Sequence, residues 1–373
     1  MSVTLNGSNG ITFNDGSSQT AAASPLGLKN RIINGDMRID QRNAGASVST
    51  PSLTYSVYTL DRWAYEFSQA AKATIQQNAG SVTPPTGFSN YLGITSTSAY
   101  SVTSGDYFGV AQRVEGFNIA DLAWGTANAQ TITLSFQVRS SLTGTFGGSL
   151  RNSGNGRSYP FTYTISSANT WTTISITIPG DTSGTWLTNN GTGITLNFGL
   201  GVGSTASGTA GSWSSSNFNS ATGATSVVGT NGATWYITGV QLEIGTSATP
   251  FERRLYNQEL ANCQRYALMI KNGTTSIDRF GLGSTVSSTT VQLLIQHPVA
   301  FRAAPTLTTT GTAADYQVYA TAVTACNAAP TLGEGSQFNS RYNFVTAGGL
   351  TGGQVAQCSG ANTNAYLLLS AEL

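Results

Sequence analysis

The stretch TITLSFQV, Thr131 to Val138, decides the fold class. It sets Ile132, Leu134, Phe136 and Val138 on one face and Thr131, Thr133, Ser135 and Gln137 on the other. A period of two belongs to a strand with one face in a core and the other in water. TISITI (173–178) repeats the pattern with Ile174, Ile176 and Ile178, and ITLNFGLGV (194–202) with Ile194, Leu196, Phe198, Leu200 and Val202. Trp63, Tyr65 and Phe67 alternate in the same way. Gly, Ser and Asn clusters separate these segments, so residues 29–247 read as an antiparallel β-sandwich. In WYITGVQLEI (235–244) the phase changes from Trp235 and Ile237 to Val240, Leu242 and Ile244, which predicts a bulge at Gly239.

Composition agrees with a strand-built protein. Only 9% of the 373 residues are charged, against about 25% in an average domain, while aromatics reach 10% and the net charge is +1. That balance offers no electrostatic pull toward nucleic acid or an anionic membrane. No run has membrane-spanning length, and MSVTLNGSNG has neither a basic n-region nor an apolar h-region, so synthesis in a cytoplasm is expected. The three cysteines, Cys263, Cys326 and Cys358, are odd in number and widely spaced, which fits neither a disulfide framework nor a structural zinc site.

Residues 1–28 form a thin polar arm with two apolar pairs, Val3/Leu5 and Ile11/Phe13, punctuated by Asn-Gly and Asp-Gly turns. So small an arm needs another chain to bury its apolar face. Residues 248–268 break the strand pattern. Thr249-Pro250-Phe251-Glu252 reads as a capping box with proline at the first helical position, and Tyr256, Leu260, Cys263 and Ala267 fall on one helical face. Strands resume over 269–373, with Val291, Leu293 and Ile295 alternating in TVQLLIQ. The fold class expected is all-β: a jelly-roll β-sandwich, a short linking α-helix and a second, smaller C-terminal β-sandwich or barrel.

Catalytic signals are sparse. His297, the single histidine, precedes Pro298 at a strand end and reads as structural. Three carboxylate pairs, Asp36/Asp40, Asp61/Glu66 and Asp106/Glu115, are candidates for glycoside hydrolysis, which needs only two acids at the right separation. Trp124, Trp186 and Trp213 sit in turn-rich contexts, whereas Trp63, Trp171 and Trp235 sit inside alternating strands and read as core. The loop indoles are either anchors over the end of the sandwich or platforms on which sugar rings stack.

Several longer motifs carry a family resemblance. NRIINGDMRIDQRNAG (30–45), YTLDRWAYEF (58–67), TLSFQVRSSLTGTF (133–146), WTTISITIPGDTSGTW (171–186) and the run from Trp235 through CQRYA (263–267) resemble carbohydrate-binding-module-like jelly rolls of bacteriophage structural proteins. HPVAFRAAPTL (297–307) and the closing SAEL resemble the β domain that follows in phage fibre and tail proteins, and NGITFNDGSSQT (9–20) resembles their particle-attachment segments. The resemblance spans nearly the whole chain. It implies a non-enzymatic virion appendage made in the bacterial host cytoplasm: a homotrimeric fibre or spike attached to other virion proteins through Val3, Leu5, Ile11 and Phe13. Host-surface polysaccharide is the implied target, with Trp124, Trp186 and Trp213 as the candidate glycan residues. The alternatives are a head fibre or capsid decoration protein, and a polysaccharide depolymerase. No cofactor is expected. Related jelly rolls hold a structural calcium through an acidic residue in the last strand, where this chain has Ile237-Thr238-Gly239, leaving Asp36 as a candidate oxygen donor.

Overall fold

The computed structural model describes residues 29–50, 56–271 and 279–373, together with the backbone of three short strands in the arm. Those strands, Thr4–Asn6, Gly10–Thr12 and Ser18–Gln19, form an antiparallel meander in which Leu5 pairs with Ile11. Val3 and Phe13, and all side chains of the arm, lie outside the described residues.

Two six-stranded antiparallel sheets follow. The first runs, in spatial order, Thr172–Ile178, Ile132–Ser140, Thr234–Ile244, Leu92–Ser96, Ala73–Gln77, Val48–Ser49. The second runs Ser158–Ile165, Gly144–Asn152, Thr192–Val202, Tyr107–Glu115, Trp63–Phe67, Ser56–Leu60. The alternation of the sequence sets their inner faces, so that Leu134, Phe136 and Val138 share one core with Leu196, Phe198 and Leu200, all buried. Phe136 and Phe198 meet edge to face at 5.0 Å, a favoured arrangement of ring quadrupoles. Trp63 and Trp235 are wholly buried, and the Trp235 indole donates to the Tyr163 hydroxyl at 3.0 Å.

Trp171 departs from the core reading. It is half-buried outside the sandwich, packed edge-on against Tyr91 at 5.6 Å with its N–H on the Thr83 carbonyl. At Gly239 the expected bulge is present. Thr238 pairs with Gln137 and Gln241 with Ser135, so Gly239 and Val240 stand opposite Phe136 alone, and φ at Gly239 is 63°.

The helix spans Tyr256–Gln264 and begins at Tyr256, later than the capping-box reading placed it. The supposed cap is occupied elsewhere. Thr249 Oγ1 donates to Glu243 Oε2 at 2.6 Å, and Glu252 accepts from the backbone N–H groups of Lys29 at 2.5 Å and Asn30 at 3.1 Å. Tyr256 therefore sits at the frayed start of the helix, 54% exposed, while Cys263 packs against Ile33, Ile39 and Tyr266 as a small buried residue. Burial pushes its thiol well above the ordinary value, which makes it a poor nucleophile.

Arg254 ties this segment down. Its buried guanidinium donates to the carbonyls of Asn30 and Ile32, to Glu252 at 2.9 Å and to Glu259 at 3.2 Å. Two carbonyls and two carboxylates form the kind of oxygen set a divalent cation takes; here the chain's own cation fills it. Asp36 is ion-paired to Arg38 at 2.5 Å. Arg265 turns the other way, gripping Glu115 through Nε at 2.8 Å and Nη2 at 2.6 Å, and Arg253 lies over the Phe88 ring at 4.7 Å.

Beyond the helix, a seven-stranded antiparallel sheet curls into a half-barrel beside a three-stranded sheet of Ala267–Ile270, Leu367–Ser370 and Thr306–Thr308. They enclose a second core containing Val291, Leu293, Tyr316, Phe344, Leu367 and Leu369. His297 is built into this unit, with Nδ1 3.1 Å from the Gln337 carbonyl, Nε2 3.1 Å from the Ser340 hydroxyl and its ring on Phe301. The chain end returns to the sandwich. Glu372 bonds Arg62 and, at 3.0 Å, Arg42, while Arg302 bridges the Asn190 carbonyl and the carbonyls of Ala371 and Glu372.

Candidate functional site

The strands of the second sheet that bury Phe108, Val110, Leu150 and Leu196 must turn their alternate residues outward. Strand register then assembles a site. Arg113 pairs with Thr195 and Thr195 with Arg151, so three neighbouring strands set these side chains in one row across the outer face. Glu66, from Trp63–Phe67, bonds both arginines: Oε1 accepts from Arg113 Nη2, and Oε2 lies 3.5 Å from Arg151 Nη2.

Farther along the same face the register aligns Gly109, Gly199 and Gly147. A bare row of glycines lets the chain approach the sheet, and a strap running from Gly203 to Thr222 does so. Ser220 occupies the space that side chains at Gly147 and Gly199 would need, its Oγ 2.5 Å from where a Cβ on either would lie. Asn197 secures the strap by donating to the Asn219 carbonyl at 2.7 Å. What remains open is a cleft of about 430 Å³, within the range of about 300–1,000 Å³ typical of ligand sites, walled by the strap on one side and by Asn152, Ser153 and Asn155 on another. Among the described residues its floor and walls are almost wholly polar, with Ser56, Glu66, Arg113, Arg151, Thr192, Thr195, Asn217 and Asn219 beside one aromatic residue, Tyr107. Three buried polar atoms on it have no partner among the described residues: Ser56 Oγ, Arg151 Nε and Asn219 Oδ1. Burial pulls the Arg151 guanidinium below its ordinary pKa, against the opposing pull of Glu66.

Gly199→Val is expected to lift the strap, because Ser220 Oγ and Cβ stand 2.5 and 2.7 Å from the new Cβ. The overpacking should cost about 1–3 kcal/mol, read by chemical denaturation, and limited proteolysis should cut the strap faster than in the parent chain.

The three loop indoles do come together, but on one another. Trp124, Trp186 and Trp213 form a closed edge-to-face triad with centroids 4.7, 5.3 and 5.5 Å apart. Each N–H is taken by a backbone carbonyl, of Gln130, Ser183 and Pro179 respectively. Trp124 and Trp186 are only 6% and 7% exposed, so in this conformation they anchor loops and present no ring face to a sugar. Trp213 is half-buried and borders a shallow depression with Arg157, Ser212 and Phe218.

Each acid of the carboxylate pairs has hydrogen-bond or ion-pair partners of its own. Asp40 accepts from the backbone N–H groups of Asn43 and Gly45, Asp61 from Gln41 and Arg42, and Glu115 from Arg265 and Tyr266. Asp106 accepts from the Thr103 N–H and hydroxyl, the Tyr100 hydroxyl and the Ser68 hydroxyl, all at 2.7–2.8 Å. Burial would raise its pKa, but these bonds outweigh burial and hold it below the ordinary 3.8. Their stabilisation is complete above pH 3.8 and is lost as the pH falls through the lower folded value. Asp106→Asn should therefore lower the melting temperature at pH 7, with the gap to the parent chain closing below pH 3.8.

No protein-family profile and no curated protein matches the chain by sequence. Among solved structures, the enzymatically active domain of tailspike protein 4 from bacteriophage CBA120 is 14% identical over 58% of this chain and 21% of its own length, with a TM-score of 0.30. A family 11 carbohydrate-binding module from Clostridium thermocellum, in complex with a β-1,3-1,4-mixed-linked tetrasaccharide, is 13% identical over 52% of this chain and 97% of its own, with a TM-score of 0.28. The N-terminal tandem of two family 22 carbohydrate-binding modules from Paenibacillus barcinonensis is 10% identical over 88% of this chain and 97% of its own, with a TM-score of 0.25.

Proposed function

We propose that this chain is a non-enzymatic bacteriophage virion appendage, a fibre or spike subunit that is attached through residues 1–28 and adheres to host-surface polysaccharide. The observation that carries the adhesion reading is the recessed polar cleft on the second sheet, where buried donors and acceptors stand without partners among the described residues. Amides and hydroxyls in such a recess match the hydroxyl groups of a sugar ring. The virion reading rests on the motif resemblance along nearly the whole sequence. The homotrimer rests on the same resemblance; self-association is supported by Val323, Tyr319, Leu282 and Leu294, exposed on the outer face of the half-barrel in a row broken by Gln357.

The test is retention of the purified chain on polysaccharide extracted from host cells, with reducing-sugar release assayed in parallel. Retention without sugar release is expected. Release of reducing ends would overturn the non-enzymatic assignment, and absence of retention would overturn adhesion. Immunogold labelling with an antibody against residues 279–373 should mark a tail appendage; label over the capsid would make the protein a head fibre.

A further inference from the structure

Two arginines in this chain hold buried carboxylates by the same geometry. Arg157 holds Asp181 through Nε and Nη2, both at 2.7 Å, and Arg265 holds Glu115 through the same two nitrogens. A planar guanidinium presents that edge as a fork that fits both oxygens of one carboxylate. Arg151, 9% exposed on the cleft floor, leaves the corresponding edge unfilled. Its Nη1 meets Asn217 Oδ1 at 3.0 Å, its Nη2 reaches Glu66 only at 3.5 Å, and its Nε has no partner among the described residues. Glu66 is committed to Arg113 through its other oxygen. Among the described residues lining the cleft, Arg113 and Arg151 thus face a single acid, which leaves an excess of positive charge in a partly buried recess.

We propose that the cleft selects an acidic saccharide, with a uronate carboxylate taken by Arg151 beside Arg113; this rests on the reading of the cleft as a glycan site. The ligand carboxylate replaces the long contact from Arg151 to Glu66, leaving Glu66 on Arg113. Ser56 Oγ and Asn219 Oδ1, the other unpartnered atoms, then take ring hydroxyls. A neutral glycan would leave the Arg151 edge unmatched, and a buried unmatched donor is the feature that makes a polar site discriminate.

The experiment is isothermal titration of the full chain with trigalacturonate, its methyl ester, neutral galactotriose and a sulfated galactotriose. The acid is expected to bind at least about tenfold more tightly than its ester, a preference that weakens with added salt. Arg151→Gln is expected to erase that preference, and Arg151→Lys to restore only part of it, because an ammonium keeps the charge without the fork. Equal binding of acid and ester would overturn the acidic specificity while leaving the glycan reading intact. Tighter binding of the sulfated sugar would overturn the carboxylate assignment. Binding of none of the four would remove the glycan reading and this proposal together. The comparison of acid with ester on the parent chain decides the matter even where a variant fails to fold.

Discussion

Arg254→Ala is expected to lower the melting temperature by on the order of 10 °C. The guanidinium is the common partner of Glu252, Glu259 and the carbonyls of Asn30 and Ile32. Removing it deprives both carboxylates of their shared cation where Glu259 is only 3% exposed. Breaking a buried ionic cluster by deleting one member costs about 3–5 kcal/mol, far more than an exposed pair would. In a domain of this size each kcal/mol shifts the melting temperature by about 2–4 °C. Arg254→Lys should recover little of the loss, since one ammonium cannot span four acceptors in a plane. Differential scanning calorimetry supplies the measurement. A drop of less than about 2 °C would mean that the segment before the helix is held by Thr249 and Glu252 without the arginine.

The second large effect is expected at the far end of the chain. Glu372 accepts from Arg62, which is 1% exposed, and from Arg42 at 3.0 Å. Burial works against the Arg62 charge, but the Glu372 carboxylate beside it holds its pKa above the ordinary value, and the guanidinium lies over the Tyr266 ring at 3.6 Å. Glu372→Ala would leave that cation buried beside another arginine, at a cost of about 3–5 kcal/mol. Because the pairing joins the last residues of the half-barrel to the sandwich, calorimetry should resolve two transitions in the variant. Glu372→Gln should fall between the two, keeping acceptor oxygen without charge. A single unshifted transition in Glu372→Ala would show that Arg302 and Arg265 hold the two units together without it.

Local patterns were legible in the sequence; pairings between distant segments were not. Alternation in TITLSFQV and ITLNFGLGV identified the inner faces, and one phase slip located the bulge at Gly239. The helix start was misplaced because a capping box is a local motif, whereas Thr249 and Glu252 bond Glu243 and the backbone of Lys29 and Asn30. Nothing in the sequence shows that competition. The loop indoles stood out by their turn-rich contexts, but their packing on one another depends on three loops converging, which no local pattern shows. Arg113 and Arg151 went unnoticed since each is one charge at an outward position of an ordinary strand. Only register brings them into line with Thr195 and within reach of Glu66, which the sequence had paired with Asp61.

The strap over the glycine row has a consequence for how such a protein diversifies. The cleft's charged floor belongs to the sheet and is coupled to the core through strand register. Its wall belongs to a surface loop that rests on a flat landing ground and is pinned to the sandwich through Trp213. Lengthening or shortening the strap on either side of Trp213 would therefore change the length of the cleft while leaving that anchor in place. On the proposed reading, host range then depends on one loop's length as well as on the charge of the floor.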